Sequence, residues 1–272
     1  MNDRESFYRN TLSELIPDKN ASVLVCGGGS VDRDVLRDAG FRNVLISNLD
    51  SRMAAEDFLP YEWKSENATA LSFPDASFDF VITHDSIHHS SSPHRMLTEM
   101  YRVSRKAVLA FEARDSFTMR IIERLGLTQT YEHAAVYYND CAYGGVDNTH
   151  IPNYIYRWTE REIEKTIRSF DPRFEHTMIF RYGTALPCTP ELENGASTKT
   201  RLLKVVRPFF SLFVKLAPKQ QNLFAFYIEK PSGGSCLNPW LTYDEKVDEV
   251  RFDRDWAEKR YKERSELDEK LL

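Results

Sequence analysis

Apolar and polar positions along this chain repeat with two periods, one helical and one extended. Phe7, Tyr8, Leu12, Leu15 and Ile16 fall at helical spacing and predict an amphipathic helix over 5–16, ended by Pro17 and suited to covering a sheet. Ser22 to Val25 is a short apolar run entering a glycine cluster. Asp32 to Ala39 reads as a helix stopped by Gly40, and Asn43 to Ile46 is apolar again, which completes a β-α-β unit. The pattern recurs. Phe78 to Thr83 reads as a strand, Pro93 to Val103 as a helix carrying Met96, Leu97, Met100 and Val103 on one face, and Ala107 to Phe111 as a strand. Thr159 and Glu162 form a capping box for a helix through Phe170, which Asp171-Pro172 ends; Phe174 to Phe180 and Leu223 to Ile228 follow as strands. Strands alternating with helices imply an α/β fold with a mostly parallel sheet and helices on both faces.

Three stretches depart from this alternation. Residues 113–158 are rich in Tyr, Asn and Arg and follow the fifth strand, so they are expected to fold over the carboxyl edge of the sheet as a substrate lid. Residues 186–221 form an insertion. From Asn194 to Ile228 there is no Asp or Glu, while Lys199, Arg201, Lys204, Arg207, Lys215 and Lys219 interleave with bulky apolar residues, and Pro208 divides two helical pieces. Such a pair, over 198–219, can bury its apolar face against the domain or a second subunit, the reading preferred here, or lie on an anionic membrane. After Pro231-Ser232-Gly233-Gly234 the tail is dominated by mixed charge and reads as a surface helix. The expected organisation is one catalytic domain over 1–230 with a charged tail over 231–272.

Composition narrows the function classes. With 36 basic against 41 acidic residues the net charge is −5, so no basic excess advertises a nucleic-acid partner. Cys26, Cys141, Cys188 and Cys236 are far apart and include no C-x-x-C pair, which suggests neither a zinc site nor a disulfide framework and fits a reduced, cytoplasmic setting. Met1 to Asn10 is polar rather than signal-like, and no apolar run is long enough to span a membrane.

The chemistry starts at Cys26-Gly27-Gly28-Gly29-Ser30. A glycine turn after the first strand of a β-α-β unit lets backbone approach a ligand, and the next helix offers its free N–H groups, which by itself says only nucleotide. The stretch from Asn67 to Ile82 (Asn67-Ala68-Thr69-Ala70-Leu71-Ser72-Phe73-Pro74-Asp75-Ala76-Ser77-Phe78-Asp79-Phe80-Val81-Ile82), then Ile87-His88-His89 and Arg102-Val103, narrows this. In that order, over residues 22 to about 112, they resemble the class I S-adenosylmethionine-dependent methyltransferases of the ubiquinone/menaquinone-methyltransferase-like group. The resemblance implies a Rossmann-like sheet with an antiparallel last strand and S-adenosyl-L-methionine as cofactor. It places Gly27 and Gly29, in a cofactor-holding turn with Cys26 and Gly28, beside the methionine part of that cofactor, Asn48, Leu49 and Asp50 beside the ribose, Asn67 and Ala68 beside the adenine, and Thr83 and His84 near the reactive methyl. The chain departs from the family pattern at Val25, Asn48 and Asn67, where acids are usual, at Val31, where a third glycine is usual, and after Arg102-Val103, where the glycine turn is missing. Asp50 is the candidate to take over the ribose role.

Methyl transfer is an in-line displacement, so the protein mainly aligns donor and acceptor and, for a hydroxyl acceptor, removes a proton. Candidate bases are His84, Asp85, His88 and His89; packing or capping is the commoner role for the His88-His89 pair, and Asp85 needs burial to raise its pKa. Tyr138, His150 and Arg157 are the lid residues expected to contact the acceptor. Three functions stay open: O-methylation of a small molecule or glycan, C- or N-methylation of an isoprenoid or quinone-like acceptor, and a degenerate methyltransferase fold used as a scaffold. A homo-oligomer is compatible with each.

Overall fold

The computed structural model describes residues 3–185, 210, 212–231, 236–244 and 248–269. The first strand, β1 (Ser22–Cys26), shows how the layers arise: Val23 and Val25 point to one face of the sheet, and Leu24 and Cys26 to the other. On the first face α1 (Asp3–Leu15) and α2 (Ser30–Asp38) bury Tyr8, Leu12, Val35 and Leu36 against β1, β2 (Asn43–Asn48), β4 (Phe78–His84) and β5 (Ser104–Ala113), with Ile16 just beyond α1. On the second face α3 (Pro93–Val103) and α6 (Glu160–Phe170) bury Met96, Leu97, Met100, Ile163 and Ile167 together with Trp158. Thr159 caps α6 in the expected box with Glu162. Between α3 and α6 come α4 (Phe117–Arg124) and α5 (His133–Tyr137), and β3 (Glu62–Ser65) lies between β2 and β4 in the chain.

Seven strands make one sheet in the order β3-β2-β1-β4-β5-β7-β6, where β6 is Met178–Gly183 and β7 is Leu223–Glu229. The strands from β3 to β5 pair in parallel, while β7 runs antiparallel to both β5 and β6. Chain order reverses between β1 and β4, and open α/β sheets bind ligands in the crevice outside the carboxyl ends at such a point.

The missing glycine turn after Arg102-Val103 has a structural replacement. Helix α3 runs straight into β5, and Lys230, just past β7, donates from Nζ to the carbonyls of Tyr101, Arg102 and Ser104 at 3.1, 3.2 and 2.8 Å. A cation there satisfies the orphan carbonyls of the helix end and complements its dipole. Arg102 in turn donates to the Phe73 and Leu71 carbonyls and to Asp75 and Glu99, which holds the Asn67–Asp79 stretch in place.

One strand was not read from the sequence, and two expectations are corrected. Strand β3 has the sequence Glu-Trp-Lys-Ser at a sheet edge, where charges are tolerated and apolar alternation is too short to read. The strand expected at 174–180 begins only at Met178. The tail is not one helix: β8 (Leu241–Asp244) and β9 (Glu249–Phe252) form an antiparallel hairpin before α7 (Arg254–Glu269). Trp240, Phe252 and Tyr261 gather around Trp256, and the Phe174–Leu237 bridge ties the segment before this hairpin to the domain. Most of the basic-apolar insertion lies outside the described residues. Among the described residues no helix is long and apolar enough to cross a membrane.

Asp79 buttresses the opposite end of β4 from the crevice. It accepts from the Ser22 backbone N–H and from Arg105 at 3.1 and 2.8 Å, with Lys106 at 3.2 Å. Burial raises its pKa, but Arg105, the Ser22 N–H and Lys106 outweigh that and lower it to about 2. A depressed carboxylate adds stability above its unfolded pKa and loses it as pH falls through the folded one. Asp79→Asn is therefore expected to cost about 1–2 kcal/mol near neutral pH, discounted for the exposed Arg105. Urea denaturation at about pH 7 and about pH 3 should show the smaller difference at low pH; equal differences would refute the assignment.

Candidate active site

A cavity of about 290 Å3 opens at the carboxyl ends of β1, β2, β3 and β4, close to the lower end of the roughly 300–1,000 Å3 range of ligand pockets. Gly27 forms one edge. Its φ is +64°, and a Cβ there would lie 1.8 Å from Ser86 Oγ, so turn and loop meet only because position 27 has no side chain. Gly28 donates to the Ser47 carbonyl at 3.0 Å and leaves no room for a Cβ against Val25 and Ile46. Gly29 caps α2, its N–H bound to Asp32 at 2.8 Å. Cys26 lies behind the turn, fully buried, with its thiol pushed up to about 12 by burial.

The end of β2 explains the amide at position 48. Asn48 donates from Nδ2 to the Gly28 carbonyl at 2.9 Å and accepts from the Asp50 N–H at 2.9 Å, and a carboxylate could not make the first bond. Asp50 is buried and gripped by Arg52, whose Nε lies 2.9 Å from one oxygen and whose Nη2 lies 2.5 Å from the other. The Arg52 hydrogen bond offsets burial and lowers the Asp50 pKa. Arg52 also donates to Asn139 at 3.0 Å and stacks 4.2 Å from the Tyr143 ring, so the lid is clasped to the end of β2.

Leu49, Asn67 and Ala68 line the cavity, Asn67 holding Thr69 in a local turn. The sequence reading missed Glu66, a buried carboxylate in the same wall that accepts from Ser72 and pairs with Lys64. The signal was present: an acid stands one residue before Asn67. It also missed Ser86, Asn139, Gly144, Gly145, Asp147 and Asn148, most of which the lid brings in.

The four candidate bases separate. Asp85, with φ +49°, and His89 line the cavity. His84 instead stacks on Tyr8 of α1, with centroids 4.5 Å apart, while Arg4 of the same helix pairs with Asp85 at 2.8 Å. Thr83 is fully buried and donates to the Cys26 carbonyl at 2.9 Å. His88 is buried, its Nδ1 2.6 Å from Glu112, whose other oxygen accepts from the Ser86 and Ile87 N–H groups at 3.1 and 2.6 Å. Glu132 from the lid approaches His88 Nε2 at 3.3 Å and His89 Nε2 at 3.2 Å. Burial depresses the His88 imidazole, but Glu112 and Glu132 outweigh it and raise its pKa to about 10. His89 moves the other way, lowered by burial and by the charge on His88, so near neutral pH one ring of the pair is charged and the other is not.

The three lid residues singled out from sequence do not reach the cavity wall. Tyr138 is 81% exposed, His150 stands on the outer surface, and Arg157 holds the lid base through Glu123 at 3.2 Å and the Gln129 carbonyl at 2.8 Å.

Residues 24–111, which supply the strand ends of this crevice, match the family model described as a methyltransferase domain. No curated protein matches the sequence. Among solved structures, the chain is similar to a methyltransferase from Thermotoga maritima titled a possible histamine N-methyltransferase (TM-score 0.51, 16% identity, 84% of this chain and 90% of that one). It is also similar to a methyltransferase in complex with the Trm112 activator of Haloferax volcanii (0.52, 13%, 85% and 92%), and to the YcgJ protein of Bacillus subtilis (0.50, 13%, 85% and 99%). At these identities the structures speak for the fold alone. Residues 24–111 match a methyltransferase domain and the sheet around them has the class I methyltransferase fold, which together support an S-adenosylmethionine-dependent methyltransferase. The cavity fits the cofactor: Leu49, Met53, Ala68 and Met96 offer apolar surface to an adenine ring, and Asp50 and Glu66 offer oxygens to hydroxyl and amino hydrogens.

Proposed function

We propose that this enzyme transfers a methyl group to an oxygen of a small-molecule or glycan acceptor. The observation that carries the reading is the presence of both Asp85 and His89 in the cavity wall beside Ser86 and the Gly27 turn, two groups able to take a proton from a hydroxyl. S-adenosylmethionine, when bound, supplies an electrophilic methyl on a sulfonium. The chain's own part is to hold Gly27 and Ser86 together, to exclude water with the lid clasped through Arg52 and Asn139, and to accept a proton at Asp85 or at His89. In this reading Tyr138 and His150, exposed on the lid, meet the distal part of an extended acceptor. His84, covered by Tyr8, serves as a base only if α1 lifts.

An isoprenoid or quinone-like acceptor methylated at carbon or nitrogen, as in the resembled subgroup, is the second reading. It is supported by Leu212, Phe213 and Leu216, which stand exposed where the basic-apolar insertion rejoins the domain and would also serve a membrane surface or a second copy.

Radiolabel transfer from S-adenosylmethionine to a panel of phenols, sugars and quinols distinguishes the readings. With a hydroxyl acceptor, Asp85→Asn and His89→Gln are the informative variants. At least one should lower kcat by about 100-fold with S-adenosylhomocysteine affinity kept within threefold. His84→Ala tests the covered histidine in the same assay. If no oxygen acceptor is labelled, or if Asp85→Asn and His89→Gln both leave turnover intact, oxygen methylation with these bases is wrong.

A further inference from the structure

Glu132, His88 and His89 come from two segments more than forty residues apart, yet place one carboxylate oxygen and two imidazole nitrogens within 4.8 Å of one another. Their spacing is long for charge-assisted hydrogen bonds. Charge-assisted N–H···O bonds run about 2.7–2.9 Å, whereas Glu132 Oε2 stands 3.3 Å from His88 Nε2 and 3.2 Å from His89 Nε2. Those two distances match the edge of a coordination tetrahedron, roughly 3.3 Å for metal bonds of about 2.0–2.1 Å. The supports also match. His88 Nδ1 is 2.6 Å from Glu112, which orients the ring through its Nδ1 proton, so that an ion arriving at Nε2 displaces only the proton that faces Glu132. Asn153, 97% buried, donates from Nδ2 to the same Glu132 oxygen at 3.3 Å, and its Oδ1 has no partner. Turning that amide over would present a carbonyl oxygen at the same place.

We propose that His88, His89 and Glu132 form a divalent-metal site of the two-histidine, one-carboxylate type, suited to Zn2+ or a similar first-row ion, with Glu112 as the positioning residue behind His88. The gap between the two histidine nitrogens, at most 4.8 Å, closes by up to about 1.5 Å to complete the tetrahedral edge. Two ligands belong to the scaffold beside β4 and the third opens the lid helix α5, so the ion staples the lid over the cavity that His89 lines. With the ion in place His89 is a ligand, and a hydroxyl acceptor's proton passes to Asp85. The site itself does not depend on which acceptor the enzyme uses.

The test uses the full chain stripped with a chelator and titrated with Co2+, read by visible absorption, and with Zn2+, read by calorimetry and by metal analysis after dialysis. One ion per chain and an intense tetrahedral Co2+ band are expected. His89→Ala and Glu132→Gln should each weaken Zn2+ affinity at least tenfold, with S-adenosylhomocysteine binding as the check on folding, while His176→Gln, far from the cluster, should not. An unbound ion in the unmodified chain, or unchanged affinity in both His89→Ala and Glu132→Gln, overturns the proposal. Methyl transfer that persists when no ion binds overturns the metal site alone and leaves the acceptor reading standing.

Discussion

Glu112→Ala is expected to lower stability by about 3–5 kcal/mol, because removing one partner of a buried ion pair strands the other in low dielectric. Three donors depend on this carboxylate: the Ser86 and Ile87 N–H groups and His88 Nδ1. Its side chain is fully buried, so water cannot replace it. A stability loss of that size corresponds to a fall in Tm on the order of 10 °C for a chain this large. The damage should be local as well as global, since the charged His88 is what draws Glu132 and the lid to the scaffold. Hydrogen exchange across 131–148 should accelerate before the sheet does. Glu112→Gln retains an acceptor oxygen and should fall between. If Glu112→Ala unfolds within about 1 kcal/mol of the unmodified protein, the carboxylate does not carry this cluster.

Gly27→Ala is the second large effect expected. A methyl at this position meets Ser86 Oγ at 1.8 Å and occupies a φ of +64°, a left-handed conformation that costs an L-residue roughly 1–2 kcal/mol. Relieving the contact means moving Ser86, and with it the loop that presents Asp85 and His89. S-adenosylhomocysteine affinity should drop on the order of 100-fold, equivalent to about 2.7 kcal/mol. The pair Gly27→Ala with Ser86→Gly removes the clash and leaves only the backbone strain, so it should recover part of the affinity. Full affinity in Gly27→Ala alone would show that turn and loop do not need their present contact.

The cofactor side was more legible than the acceptor side, for a physical reason. Gly27 and Leu49 stand in the cavity wall where an apolar run shows β1 and β2 ending, whereas Asn67 and Ala68, which follow the unreadable β3, were reached through the resemblance alone. The departures at Asn48 and at the missing glycine turn made sense only with partners in view. The Asn48 amide is required by the Gly28 carbonyl, and Lys230 replaces a turn more than a hundred residues earlier. The lid residues picked for their chemistry, Tyr138, His150 and Arg157, face away or hold the lid base, while Asn139 and Gly145, two less conspicuous neighbours, face in. Side-chain type says what a residue can do and not which way an irregular loop turns it.

What the sequence by itself determined is the alternation of α1, β1, α2 and β2, then of β4, α3 and β5, then of α6, β6 and β7, with a two-faced core and the place of the glycine turn. Those follow from periodicity and from capping chemistry such as Thr159 with Glu162, interactions between residues two to four apart. What only the tertiary structure decided is the meeting of segments distant in the chain: edge strand β3, the tail hairpin, the Arg52 clasp and the approach of Glu132 to His88 and His89. Such pairings are set by how loops close over a finished sheet, and local pattern carries no record of them.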